Sequence, residues 1–400
     1  MKAVFMGMGY IGLPSAAVAA SKGIDVIGVD INPVVVDTIN QGKIHIVEPE
    51  LDKLVKEVVE KKKMHAALQP EEADVFLIVV PTPFKQNHRA DITYVRNATK
   101  AVIPFLKEGN LFIIESTSPV MTTEKIADFI FKERPELQGK IYIAYCPERV
   151  LPGNVIYELE NNDRVIGGIN QESADKAVEF YAAFVKGSMH KTNTRTAEMC
   201  KLTENSSRDV QIAFANELSM ICRKAGINVW ELIALANKHP RVNILQPGCG
   251  VGGHCIAVDP WFIVSDYPEQ ANIIKKARET NDYKADWCAN EVLRACQDFE
   301  DKHEREPVVA CMGLAFKPDI DDLRESPAKY IASRIISEAR ADVLIVEPNI
   351  EMHKSFNLVH HDDAFQQADI VVWLVRHKEF ITLAQKYPQK IELDFCGVRQ

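Results

Sequence analysis

Ala3-Val4-Phe5-Met6-Gly7-Met8-Gly9-Tyr10-Ile11-Gly12 runs into an alanine-rich stretch to Lys22, and then Asp25-Val26-Ile27-Gly28-Val29 ends on Asp30. The order reads as strand, glycine loop, helix, strand, acid. Each part has a physical use. Gly7 and Gly9 make a tight turn that a pyrophosphate can approach, Gly12 lets the helix pack on the sheet, and the helix N-terminus holds phosphate charge. Asp30, about 20 residues after the glycines, accepts from an adenosine ribose 2′-hydroxyl and repels a 2′-phosphate. A lone Gly-x-Gly-x-x-Gly is a weak signal. With the strand, helix and terminal acid in place, it predicts a dinucleotide site, and Asp30 favours NAD over NADP.

Outward from this unit the alternation continues. Strand-like runs stand at 75–80, 111–114 and 141–145, with helical stretches at 50–62, 94–106 and 122–132. Such alternation predicts a parallel, doubly wound sheet with ligands at the carboxyl ends of its strands. Those ends carry Thr82, Thr117, Glu148 and Arg149. The two threonines are candidates for cofactor or water contacts, Glu148 for an acid/base and Arg149 for an anion contact. Local turn bonds are the competing use of each. Residues 196–237 read as long proline-free helices, and 271–298 as a further one suited to a spacer and dimer surface. The charged stretch 298–307 reads as a surface connection. Alternation then resumes at 308–313, 343–347, 370–375 and 391–395, a second and smaller α/β domain. The predicted fold is therefore α/β, two Rossmann-like doubly wound domains joined by a long central helical region. Its predicted parts are 1–190 for the NAD-binding domain, 191–300 for the central helices and 301–400 for the C-terminal domain.

Four hundred residues exceed one ordinary hydrophobic core. Apolar residues make up 46% and charged residues 26%, a globular composition, and the net charge of −9 gives no general attraction to nucleic acid or an anionic membrane. Nine cysteines at irregular spacing, without a CxxC pair, argue against a disulfide framework or a metal site and for a reducing compartment. The N-terminus enters a strand at once, with no leader-like segment, and no apolar run reaches spanning length. A cytoplasmic location is expected.

The second informative stretch is Gly248-Cys249-Gly250-Val251-Gly252-Gly253-His254-Cys255, with Asp259 four residues on. Glycines allow close backbone approach to a ligand, and a thiol at a helix start is favoured as thiolate. If the following segment is helical, Cys255 and Asp259 share a face, a layout for a nucleophile with an acid/base neighbour. Space-filling is the competing use of a cysteine. Lys201, Asn205 and Arg208 stand at helical spacing and form either a solvated stripe or a polar site. Lys317 and Arg324 follow a strand end in the second domain and suit a phosphate-bearing ligand or surface ion pairs with nearby aspartates. A thiol in a chain that also binds NAD has a specific use. It captures an aldehyde, whose thiohemiacetal loses a second hydride to give a thioester.

These motifs together carry a resemblance. Gly7 to Pro14, Val80-Pro81-Thr82-Pro83-Phe84, Glu115-Ser116-Thr117-Ser118-Pro119, Cys146 to Gly153, Asn162 to Gly168, Glu198 to Asn205, Gly252 to Asp259 and Phe316 to Pro327 resemble the UDP-glucose/GDP-mannose 6-dehydrogenase family over nearly the whole chain. The resemblance implies that Cys255 is the nucleophile, Lys201 the acid/base and oxyanion stabiliser with Asn205 beside it, and Asp259 the residue that activates water, with Thr117 and Glu148 nearby. It implies that Arg149, Val150, Lys201, Asn205, Arg208, His239, Arg241 and Gly252 contact a UDP-sugar, reached from the C-terminal domain by Phe316 and Lys317. Gly7, Gly9, Tyr10, Ile11, Gly12, Asp30, Thr82 and Thr117 would line NAD, with Arg324 near it or at a closing interface. A homodimer on the long helix is implied, and no metal. Cys249 departs from the family pattern, which has proline there, and raises the question of an oxidation partner for Cys255.

Overall fold

The computed structural model describes residues 1–85, 88–150, 153–387 and 390–400, so Leu151 and Pro152 of the quoted motif lie outside the described residues. The chain forms two compact units, Met1–Thr203 and Glu204–Gln400.

In the first unit eight strands make one sheet. They are β1 (Lys2–Met6), β2 (Asp25–Val29), β3 (Met64–Ala67), β4 (Val75–Ile78), β5 (Leu111–Ile114), β6 (Tyr142–Tyr145), β7 (Arg164–Gly168) and β8 (Met189–Asn193), in the order β3-β2-β1-β4-β5-β6-β7-β8. Along β1, Ala3 and Phe5 pack into one apolar layer, Val4 and Met6 into the other. A sheet covered on both faces needs such continuous apolar strands, and each fully buried Val, Ile or Phe adds about 1.5–3 kcal/mol. The order reverses between β1 and β4, which puts the topological switch point at the glycine loop.

The expected all-parallel sheet needs one correction: β7 runs antiparallel to β6, pairing Ala144 with Gly168 and Tyr145 with Gly167. β3, β7 and β8 were not anticipated. β3 has four residues and β8 is the polar edge segment Met189-His190-Lys191-Thr192-Asn193 with little burial, so neither shows an apolar period. In β7, Gly167 and Gly168 break the pattern; a Cβ on them would meet the Asn193 carbonyl at 2.6 Å and the Asn170 carbonyl at 2.3 Å.

The second unit holds β9 (Val308–Met312), β10 (Asp342–Val346), β11 (Ile370–Trp373) and β12 (Ile391–Asp394), all parallel, in the order β10-β9-β11-β12. The fold class is thus α/β with two Rossmann-like sheets and long central helices. Helices Thr194–Ala225 and Asn272–His303 each have 32 residues. Of the stretch 298–307 expected as a surface connection, 298–303 are instead the last turns of Asn272–His303, and 304–307 connect to β9. No Gly or Pro interrupts the helix, Gln297 bonds Asp301 one turn on at 2.8 Å, Phe299 is buried, and Glu304 ends the helix in the left-handed region at φ 55°. Among the described residues no helix is long and apolar enough to cross a membrane.

Candidate active site

The glycine loop after β1 separates two uses of glycine. Gly7 takes φ +101°, and a Cβ there would lie 2.4 Å from the Val79 carbonyl; on Gly12 it would lie 1.8 Å from the Gly7 carbonyl. Both glycines are demanded by the fold. Gly9 has nothing within 4 Å of its would-be Cβ, so the chain itself does not require it, and ligand approach is the remaining reason. The helix Gly12–Ser21 has no side-chain cap and no acid in its first turn, which leaves its positive end to an anion. Asp30 is half-buried. It accepts from Met8 N at 3.1 Å and Asn32 N at 2.9 Å, so it fixes the loop. Tyr10 is exposed and Ile11 half-buried beside the loop. These features fit a dinucleotide.

At the neighbouring strand ends, Ser116 Oγ accepts from Val80 N at 2.9 Å and so ties the segment bearing Thr82 to the one bearing Thr117; both threonines are half-buried. Glu148 is buried, accepts from Arg149 N at 2.6 Å, and lies 3.2 Å from the Arg164 guanidinium. Arg164, itself buried, also faces Glu115 at 4.0 Å and stacks over Tyr181 at 4.9 Å, while Tyr181 Oη donates to Glu115 at 2.5 Å. Two buried carboxylates share one cation. Burial pushes Glu115 up to about 7, against the pull of Arg164. Sequence reading missed Glu115, Arg164 and Tyr181 as a group because they are far apart in the chain. Arg149 and Val150 are half-buried at this edge, and Arg149 Nη1 donates to the Asp163 carbonyl at 3.2 Å.

Helix Thr194–Ala225 carries Lys201, half-buried, then Asn205 and the exposed Arg208. Three residues before Lys201, buried Glu198 accepts from Met121 N at 2.6 Å, Thr123 N at 2.7 Å and Thr123 Oγ1 at 2.7 Å. It thereby caps helix Thr122–Glu133, which follows the Thr117 loop.

In the second unit Cys255 is exposed and lies one turn before helix Asp259–Asp266, not in its first turn as expected. Its carbonyl accepts from Val258 N at 3.1 Å and Asp259 N at 2.8 Å, so residues 255–259 form a helical turn leading into that helix. Asp259 is 3% exposed and accepts from Asn205 Nδ2 at 2.6 Å. The loop glycines serve close packing on the chain itself: a Cβ on Gly252 would meet the Glu325 carbonyl at 2.5 Å and Phe316 at 2.8 Å, and one on Gly253 the Phe316 ring at 2.9 Å. The start of the loop is anchored through a buried ladder. Arg278 donates to Asp209 at 2.7 Å, Asn281 to Asp209 at 2.8 Å, Asn216 to Asn281 at 2.8 Å, and Gly248 N to Asn216 at 2.9 Å.

Cys249 and Cys255 differ in surroundings, the first buried and the second exposed. Cys249 lies in the core of the second sheet, donates to the Leu374 carbonyl at 3.2 Å, and is held well above the ordinary thiol range, first by its bond with Cys288 and then by burial. His239, Arg241, Lys317 and Arg324 are exposed and Phe316 is half-buried. Arg324 is held by its own loop, donating to both oxygens of Asp322 at 2.9 and 3.0 Å, and its carbonyl accepts from Gly253 N at 3.2 Å.

Each unit carries a feature of one class, a nucleotide-binding oxidoreductase: a dinucleotide-type glycine loop in the first, and in the second an exposed thiol one turn before a buried carboxylate that an amide holds. Comparison with known proteins supplies the family. The profile of the UDP-glucose/GDP-mannose dehydrogenase family matches in three parts, the NAD binding domain at residues 1–185, the central domain at 195–283 and the UDP binding domain at 310–398. The chain belongs to the UDP-glucose/GDP-mannose dehydrogenase family, as an NAD-dependent UDP-sugar dehydrogenase. It is similar to the UDP-N-acetyl-D-mannosamine dehydrogenase of Campylobacter jejuni, 56% identical over 95% of this chain and 96% of that one. The protein of that name from Escherichia coli K12 is 56% identical over 98% of both. Among solved structures, the UDP-D-ManNAc dehydrogenase of Pyrococcus horikoshii superposes with a TM-score of 0.90 at 37% identity, covering 100% of this chain and 96% of that one.

Proposed function

We propose that the enzyme oxidises C6 of UDP-N-acetyl-D-mannosamine from alcohol to carboxylate, in the cytoplasm, supplying a uronate precursor for bacterial surface polysaccharide. The relatives named for this sugar match it almost end to end. The observation that carries the chemistry is the exposed Cys255, one turn before a buried Asp259 that Asn205 holds at 2.6 Å.

When bound, NAD would supply the hydride acceptor, a fresh molecule for each of the two oxidations. Gly7, Gly9, Gly12, Tyr10, Ile11, Asp30, Thr82 and Thr117 would hold it, with Arg324 toward it from its own loop. Lys201 takes the C6 hydroxyl proton as the first hydride leaves, and the C6 aldehyde results. The Cys255 thiolate adds to the aldehyde carbon, forming the C–S bond of a thiohemiacetal, while Lys201 and Asn205 stabilise the oxyanion. Loss of the second hydride leaves a thioester. Asp259, with Thr117 and Glu148, orients and deprotonates water, which adds at the carbonyl; the C–S bond breaks, and Cys255 leaves as thiolate. Arg149, Val150, Arg208, His239, Arg241, Gly252, Phe316 and Lys317 contact the nucleotide sugar. Charge complementarity supports the arginines and lysine, since a diphosphate needs local cations on a chain of net charge −9. The homodimer expected on the helix at 271–298 is proposed instead on the other 32-residue helix, Thr194–Ala225, which exposes the apolar Phe214 and Ile221, each 56% exposed and seven residues apart.

NADH release across a panel of nucleotide sugars at fixed NAD tests the substrate. The reading expects preference for UDP-N-acetyl-D-mannosamine. Preference for UDP-N-acetylglucosamine, UDP-glucose or GDP-mannose overturns the sugar and keeps the chemistry. A 52% identical relative from Ralstonia nicotianae is named an NDP-N-acetyl-D-galactosaminuronic acid dehydrogenase, which makes the UDP-N-acetylgalactosamine arm informative.

A further inference from the structure

Two buried groups in the second unit play no part in the chemistry above. Glu347 is the first residue after β10 and is 4% exposed; His377, shortly after β11, is 0% exposed. Between them they hold the segment that carries Phe316 and Lys317. Glu347 Oε2 accepts from Leu314 N at 2.8 Å and Ala315 N at 2.9 Å, and faces His377 Nε2 at 3.2 Å. Its Oε1 accepts from Asn349 N at 3.1 Å and Asn349 Nδ2 at 3.2 Å. On the far side of the imidazole, Nδ1 accepts from Asp319 N at 2.9 Å. That backbone N–H settles the tautomer: Nδ1 gives its lone pair, so Nε2 carries the hydrogen and donates it to Glu347. Asp319 takes φ +59°, and its side chain accepts from Lys378 N at 3.0 Å. Both ends of 314–319 are therefore pinned to one acid–imidazole pair, and Lys317 between them remains exposed.

The same geometry occurs in the first unit with a different outcome. After β1, Gly7 has φ +101° and donates to the Val29 carbonyl at 2.8 Å; after β9, Gly313 has φ +105° and donates to the Val346 carbonyl at 2.8 Å. Met6 pairs with Val29 as Met312 pairs with Val346, so Asp30 and Glu347 are equivalent positions. Asp30 is half-buried and receives two backbone N–H groups. Glu347 receives five donors from the chain itself, which exhausts the roughly four lone-pair sites of a carboxylate. It has no capacity left for ribose hydroxyls.

We infer that Glu347 and His377 are positioning residues, an inward-turned version of the first sheet's ribose acid, whose task is to present Phe316 and Lys317 to the nucleotide sugar. The inference rests on the reading that these two residues contact that substrate.

Steady-state kinetics on the full-length enzyme separate the two. Lys317→Ala tests the underlying reading and should raise KM for the UDP-sugar. His377→Ala loses the ring's contacts with Glu347, Asp319 N and Asn349 Nδ2, the last at 3.1 Å from Nδ1. It should raise that KM by about tenfold, the effect of losing buried hydrogen bonds, with KM for NAD unchanged and kcat within about twofold. His377→Asn places a carbonyl oxygen near Nδ1 and should recover much of the loss, and Glu347→Gln, which keeps a neutral acceptor, should fall between. If Lys317→Ala leaves KM unchanged, the loop is not a substrate contact and the underlying reading fails. If Lys317→Ala raises KM while folded His377→Ala and His377→Asn enzymes both match wild type, the positioning role alone is overturned. Equal losses in KM for both substrates across the variants would also overturn it, as general destabilisation. Should His377→Ala not fold, the Asn and Gln variants decide the matter by the same split.

Discussion

At the scale of single residues, the proposed chemistry rests on the exposed sulfur of Cys255. Cys255→Ser should lower uronate formation by on the order of a thousandfold or more, measured by product analysis, because a hydroxyl at that place is a poor nucleophile and a poor leaving group. Wild-type acid output from this variant would remove the thiol from the mechanism. Glu115 makes a second test. Its folded value is raised to about 7 against an ordinary 4.5, chiefly by burial. A raised carboxyl contributes stability below the unfolded value, and that contribution is lost as pH rises through the folded value. Glu115→Gln removes the penalty, so its Tm relative to wild type should rise between about pH 4.5 and 7. A difference that is flat, or falls, in that window would mean that the pull of Arg164 outweighs burial and that Glu115 is not raised. Cys255 and Asp259 could be singled out in the sequence by the glycine loop and their four-residue spacing, whereas Lys201 was singled out only by the family resemblance, since its helical period fits a solvated stripe equally. The roles of Glu115, Arg164, Glu347 and His377 were not visible, since each is defined by neighbours that only the fold brings near.

At the scale of elements, the glycine loop gives a contrast. Gly12→Ala drives a Cβ into the Gly7 carbonyl and should lower stability by about 1–3 kcal/mol or prevent folding, read as a loss in Tm. Gly9→Ala meets nothing of the chain. It should leave Tm nearly unchanged while raising KM for NAD by about tenfold or more, through the lost approach of the pyrophosphate. Equal effects of the two substitutions on Tm would contradict the assignment of Gly9 to the cofactor. Strands such as Val75–Ile78 and Leu111–Ile114 were legible because burial on both faces demands unbroken apolar runs. Strands Met64–Ala67, Arg164–Gly168 and Met189–Asn193 were not, being short, glycine-bearing or polar at the edge. The end of helix Asn272–His303 was misjudged for the opposite reason: its charges suggested a loop, although nothing there breaks a helix.

At the scale of the whole molecule, an NAD binding and a UDP binding domain belong to one dehydrogenase, and the proposed homodimer is tested at the exposed Phe214 and Ile221. Replacing both with Glu should weaken self-association by about a hundredfold or more, ~2.8 kcal/mol, seen by sedimentation. A variant that still sediments as wild type would place the dimer contact elsewhere. The central claim is that one enzyme carries a primary alcohol through to an acid without releasing the aldehyde. The direct measurement is NADH formed per molecule of UDP-N-acetyl-D-mannosamine consumed, with an aldehyde trap in the reaction. The account predicts a ratio of two, with nothing in the trap; a ratio of one with aldehyde captured would contradict it.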